Sequence, residues 1–107
     1  NEAGPVIDSL REYIEIGRMF DDREMLHHGC SGVEIEDEWF VAFQMKSFEA
    51  FLKDKRINMK RQDLAMILRS EGFYSKKIRV DKLVSLNCWV IESVQPKTNP
   101  DKKKIII

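Results

Sequence analysis

The sequence predicts a single α+β domain in which three helices pack on a small antiparallel β-sheet. Three observations carry that expectation. Apolar residues recur at helical spacing in three segments, they alternate with polar residues in the stretches between and after, and turn-forming residues fall where the period switches. At 107 residues the chain is long enough for one hydrophobic core and too short for two ordinary domains. Its 43% apolar and 34% charged residues exclude a disordered chain, which would carry fewer aromatics and less balanced charge. No apolar run approaches the roughly 20 residues of a membrane-spanning helix, and the N-terminus lacks a signal-peptide pattern, so a cytoplasmic or nuclear setting is expected, not a secreted one. The start at Asn-Glu, not Met, points to a piece of a longer polypeptide.

The first helical stripe lies in residues 6–20, where Val6, Ile7, Leu10 and Ile14 are extended by Met19 and Phe20 and flanked by Tyr13 and Ile16. Pro5 suits its first turn. Asp21-Asp22 opens a polar linker with one extra helical turn at 23–26, and Gly29 and Gly32 bracket Cys30 and Ser31 in an expected loop. From Val33 the period becomes two, which reads as a strand or as a hairpin turning near 36–38, centred on 39–43, with Trp39, Val41 and Phe43 on one side. Phe48, Phe51 and Leu52 then give a short amphipathic helix over 45–53, with Ser47 available as N-cap if it starts later.

Ile57 plugs the core between two helices, and Asn58 is the expected N-cap of the clearest helix, 59–71. Leu64, Ile67 and Leu68 form its core face, and Gly72 is the left-handed residue that ends it. Lys77, Arg79 and Asp81 next alternate with Ile78 and Val80, and 83–94 is β-branched and aromatic. Together they predict a hairpin with its tip near Asp81-Lys82, or later at 85–87. The order helix, strand, helix, helix, strand, strand is that of a winged helix-turn-helix, with residues 1–32 packed on it, 33–94 as its core and 95–107 as a flexible basic tail.

Zero net charge conceals a division of the chain. Residues 1–52 carry four Lys/Arg against twelve Asp/Glu, while 53–107 carry fourteen against six. A basic surface so separated attracts a polyanion even when the total is null. In a helix-turn-helix the second helix enters the DNA major groove, so its outward face is the place to look. Opposite the core face of 59–71 lie Gln62, Ala65, Met66 and Arg69, with Lys60 and Arg61 in the first turn; Arg and Lys suit phosphate or guanine, and Gln suits adenine. Lys55 and Arg56 precede the helix, and the hairpin adds Lys76, Lys77, Arg79 and Lys82. These ten residues, without Ala65 and Met66, are the candidate DNA-binding set, expected to form one continuous positive surface.

Other constellations read more simply. His27-His28-x-Cys30 lies near Asp21, Asp22 and Glu24, but a structural zinc site needs four convergent ligands and Cys88 is the only other cysteine, so no metal and no cofactor is expected. The same cluster makes a poor nucleophile or nuclease centre, which leaves no catalytic residue and a domain that is not an enzyme by itself. Both cysteines are expected reduced. Phe73 is expected in the core and Tyr74 either there or exposed as a stacking surface; Trp39 and Trp89 are expected in the core. The acidic run 34–38 reads as a strand edge kept soluble by charge.

The segments WFVAFQMKSFEAFL, INMKRQDLAMILRSEGF, KKIRV and NCWVIE resemble the small winged-helix modules at the C-termini of phage and plasmid primase–helicase proteins. The resemblance covers residues 39–91 and implies template or origin DNA binding beside a separate catalytic domain, with Lys60, Arg61, Gln62 and Arg69 at recognition-helix positions. Double- or single-stranded DNA, and other domains of the same polypeptide, are the partners it implies, with no membrane and no small-molecule substrate. The alternative is a winged helix that docks onto a partner subunit through its acidic half and hairpin.

Overall fold

A computed structural model describes residues 3–96. In chain order they form α1 (Ala3–Gly17), a 3₁₀ helix (Arg23–His27), β1 (Cys30–Ile35), β2 (Glu38–Phe43), α2 (Met45–Asp54), α3 (Arg61–Ser70), β3 (Tyr74–Arg79) and β4 (Ser85–Glu92). The expected α+β class holds, with three α-helices and one antiparallel sheet. That sheet has four strands where the element order anticipated three, ordered β1-β2-β4-β3. The difference lies at Cys30 and Ser31, expected in a loop, which instead begin β1 and pair with Phe43 and Ala42. Glu36 and Asp37 turn the β1–β2 hairpin with φ of 52° and 67°, the left-handed pair that a two-residue turn needs to match strand twist.

Strand alternation sends side chains to two different cores. Val41 and Phe43 of β2, Cys30 of β1, and the partly buried Trp89 and Ile91 of β4 face the helices. There they meet Val6, Leu10, Tyr13 and Ile14 of α1, Phe48 and Leu52 of α2, and Leu64 and Leu68 of α3. Tyr13, Phe43 and Phe48 are mutual neighbours, with ring centroids 5.4 to 5.5 Å apart. Residues 3–17 are therefore integral to the core. Ile57 packs against it as the sequence suggested.

The opposite face holds Val33, Phe40, Ala42, Ile78, Cys88 and Val90, closed by Leu26 of the 3₁₀ helix. One side chain shows how far the sheet coils around this second core. The Arg23 guanidinium donates to the carbonyl of Glu34 at 2.5 Å and to that of Arg79 at 2.7 Å. Those carbonyls sit on the two edge strands, near opposite ends of β4 in register. In a flat sheet they would be separated by roughly 14 Å across and roughly 26 Å along the strands. A single planar guanidinium holds both within roughly 8 Å, so diagonal corners of the sheet are folded together. Gln44 secures the lid by donating its amide to the Leu26 carbonyl at 2.8 Å, and Asp21 bridges the outer edge of β1 at Gly32.

Helix ends depart from expectation for identifiable reasons. The first helix stops at Gly17, where a Cβ would lie 2.2 Å from the Cys30 sulfur, so only glycine lets β1 pass this close. The helix expected over 59–71 runs from Arg61 to Ser70 with Lys60, not Asn58, at the N-cap, because Met59 is drawn into the core. Ser47 lies buried inside α2, and Gln44 holds its N-cap position. Gly72 ends α3 at φ 95°, as expected. The basic tail lies, from residue 97 on, outside the described residues.

Candidate nucleic-acid interface

Register decides which cations share a surface. Along β3, Ser75, Lys77 and Arg79 pair with Trp89, Asn87 and Ser85, on the side of the sheet that carries the helices. Lys76 pairs with Cys88 and belongs to the other side, with Tyr74 and Ile78. The hairpin cations expected on one continuous surface are thus divided by alternation. Lys82 sits in the tip, which turns near Asp81-Lys82, the first of the two expected positions. Asp81 fixes that tip by accepting from the backbone N–H groups of Leu83 and Val84 at 2.8 and 2.9 Å. Leu83 beside it is 96% exposed.

The outward face of α3 matches the sequence in part. Gln62, Met66 and Arg69 are exposed, and Ala65 is half-buried. Lys60 holds the N-cap position without a side-chain capping bond, and Asp63 places a carboxylate in the first turn of α3. Arg61 reaches sideways to α2, where both its Nε and a terminal nitrogen donate to the Glu49 carboxylate; that hydrogen bond and charge hold its pKa above the usual arginine value. Arg69 lies over the Trp89 ring, 5.4 Å from its centroid. Trp89 is consequently a half-buried wall carrying a guanidinium, and Trp39 is half-buried beside the sheet end, neither of them fully in the core.

Lys55 belongs elsewhere. Its ammonium pairs with Glu12 of α1 at 2.8 Å and lies over the Phe51 ring, which turns it toward the acidic first helix. Arg56 follows it in the turn at φ 62°, exposed. Of the ten candidates, then, Lys60, Gln62, Arg69, Lys77, Arg79 and Lys82 sit on α3 or on the hairpin's helix side and tip. Arg61 is shared with Glu49, Arg56 stands exposed in the turn between α2 and α3, and Lys55 and Lys76 are directed away.

Between these elements runs a groove of about 300 Å³ lined by Gln44, Lys46, Arg61, Ser75, Asn87 and Trp89 among others. Lys46, Asn87 and Trp89 were not singled out for this surface. Strand period alone would have placed Asn87 beside Trp89, but the approach of the α2 and α3 N-termini is a tertiary event with no local signal. Phe73 is buried and Tyr74 is 44% exposed.

Among the described residues no three His, Cys, Asp or Glu side chains group as metal ligands, and His27 pairs with Glu24 at 3.6 Å. Cys30 and Cys88 are free and buried. Burial pushes the Cys88 thiol up to about 11, and burial together with the neighbouring Cys88 holds the Cys30 thiol well above the ordinary range. No described helix is long and apolar enough to cross a membrane. No protein-family description, curated protein or solved structure matches the chain.

Proposed function

We propose that this is a winged-helix domain that binds DNA as a non-catalytic, accessory part of a larger replication protein. The sheet order supports the winged-helix reading: β2, which precedes the two adjacent helices, pairs with β4, and β4 pairs with β3, leaving the β3–β4 hairpin as the wing. The β1 strand is then an addition at the far edge. The observation that carries the DNA reading is the ladder of Lys77 and Arg79 on the hairpin's helix side, which continues the side bearing the uncovered α3 residues Gln62 and Arg69. Cations on two neighbouring elements supply phosphate contacts on both sides of a groove-seated helix. The link to replication rests on the likeness of residues 39–91 to phage and plasmid modules.

Titration of duplex DNA at low salt tests this reading. Replacing Lys77 and Arg79 together by Glu is expected to weaken binding at least about tenfold and to lower the slope of log affinity against log salt by about two. Lys55→Glu, on the α1 side, is expected to leave both unchanged. Absence of binding by the unmodified protein, or equal loss from both variants, rejects the surface. The alternative, docking onto a protein partner, draws support from Met66 on α3 and Leu83 at the hairpin tip, exposed by 66% and 96%. It is the reading that absence of DNA binding would favour.

A further inference from the structure

We propose that the groove between the N-termini of α2 and α3 and the β3–β4 hairpin holds one unpaired nucleotide of a single strand, with its base against Trp89 and its phosphate at Lys46 and Arg61. The inference rests on the DNA-binding reading and specifies the form of nucleic acid this part of the surface takes.

Four features combine here. The Trp89 ring forms one wall, an aromatic plane suited to any base regardless of sequence. Arg69 lies over one face of that ring, 5.4 Å from its centroid, and does not itself line the groove, so the base stacks on the part of the indole that Arg69 leaves uncovered. Ser75 and Asn87, both exposed, supply a hydroxyl and an amide able to donate to and accept from a base edge. Lys46 lines the groove with its positive charge, and Arg61, whose Nε and one terminal nitrogen are held by Glu49, offers its remaining terminal nitrogen beside it; the α2 N-terminus has no side-chain cap, the Gln44 amide being bonded to Leu26.

Size and stacking then select the ligand. About 300 Å³ lies at the lower end of small-molecule sites, roughly 300 to 1,000 Å³. That size suits a single nucleotide better than a base pair. A base inside a duplex has both faces covered by its neighbours, so only an unpaired one can reach the ring.

The test uses Trp39→Phe, which leaves Trp89 as the single tryptophan. Its fluorescence is followed while a short oligothymidylate, a blunt duplex and thymidine monophosphate are each added. The oligothymidylate is expected to quench Trp89 in a salt-dependent manner and the duplex to leave it unquenched. Trp89→Leu and, with less risk to the fold, Asn87→Ala are expected to weaken single-strand binding about tenfold and several-fold, the former being the loss of one stacked base. Duplex binding is expected to persist in both variants. Single-strand binding without quenching, or undiminished in Asn87→Ala, overturns the groove assignment while leaving the DNA-binding reading standing. Saturation by the monophosphate at lower concentration than the oligonucleotide also overturns it, in favour of a free-nucleotide site. Failure of both strands to bind removes both readings.

Discussion

The two faces of the sheet are built from the same strands yet closed by very different means. Three α-helices cover one face and bury twelve side chains with it. A five-residue 3₁₀ helix and one arginine close the other, where seven are buried. On the helix side, closure comes from elements with their own apolar stripes. On the second side, the sheet supplies its own enclosure by coiling, and Leu26 serves as the plug. A strongly coiled sheet can thus sustain a small core without a second helical layer, provided its corners are held together.

Breaking each side separately tests this contrast. Phe48→Ala opens a hole among the aromatic rings of the helix-side core and is expected to cost about 4 kcal/mol, seen as a lower midpoint in urea unfolding. Leu26→Ala removes the plug of the second core and is expected to cost about 3 kcal/mol. If the lid opens on its own, amides of the 3₁₀ helix will lose exchange protection before those of β2, which would mark the second core as a separate unit. Arg23→Ala is expected to cost about 1 kcal/mol, since its bonds are partly exposed, and to loosen β1 and β3 at the clipped ends more than their centres.

Alkaline pH gives a further handle on the second core. The folded state holds the Cys88 proton more tightly than the unfolded chain, with a thiol moved from an ordinary 9.0 up to about 11. That contribution is fully present below the ordinary thiol value and is lost as pH rises toward and through about 11. Urea unfolding between about pH 8 and pH 10.5 is expected to show falling stability, less steep in Cys88→Ala. The smallest effect concerns alternation itself: Lys76→Ala is expected to leave DNA affinity nearly unchanged, whereas Lys77→Ala lowers the salt slope by about one. Equal effects would mean that the two sides of the hairpin contact DNA alike.

Much of this fold is legible in the sequence. Phe48 and Leu52 on α2, Leu64 and Leu68 on α3, and Gly72 after it all sit where their spacing put them, because helical period and a left-handed terminator are local properties. Cys30 and Ser31 look like loop residues because two bracketing glycines mimic one, yet they begin β1. Gly32 is instead a point of close approach, where a Cβ would come within 2.7 Å of the Phe20 carbonyl. Asn58 looked like a cap by type, but core packing of Met59 moved the helix start. The candidate surface was half legible. Residue type identified the cations, while their partners, Glu12 for Lys55 and Glu49 for Arg61, lie 43 and 12 positions away.

By itself the sequence determined the α+β class, the three helices with their core-side stripes, the final hairpin and the concentration of positive charge after residue 52, since each depends on neighbours a few positions apart. Only the tertiary structure decided that the sheet coils until Arg23 spans its corners, that Lys76 and Lys77 part company, and that Trp89 meets Lys46 and Arg61 at one groove. Those outcomes depend on strand register and coiling, which are set by the whole core closing at once and leave no mark at any single position.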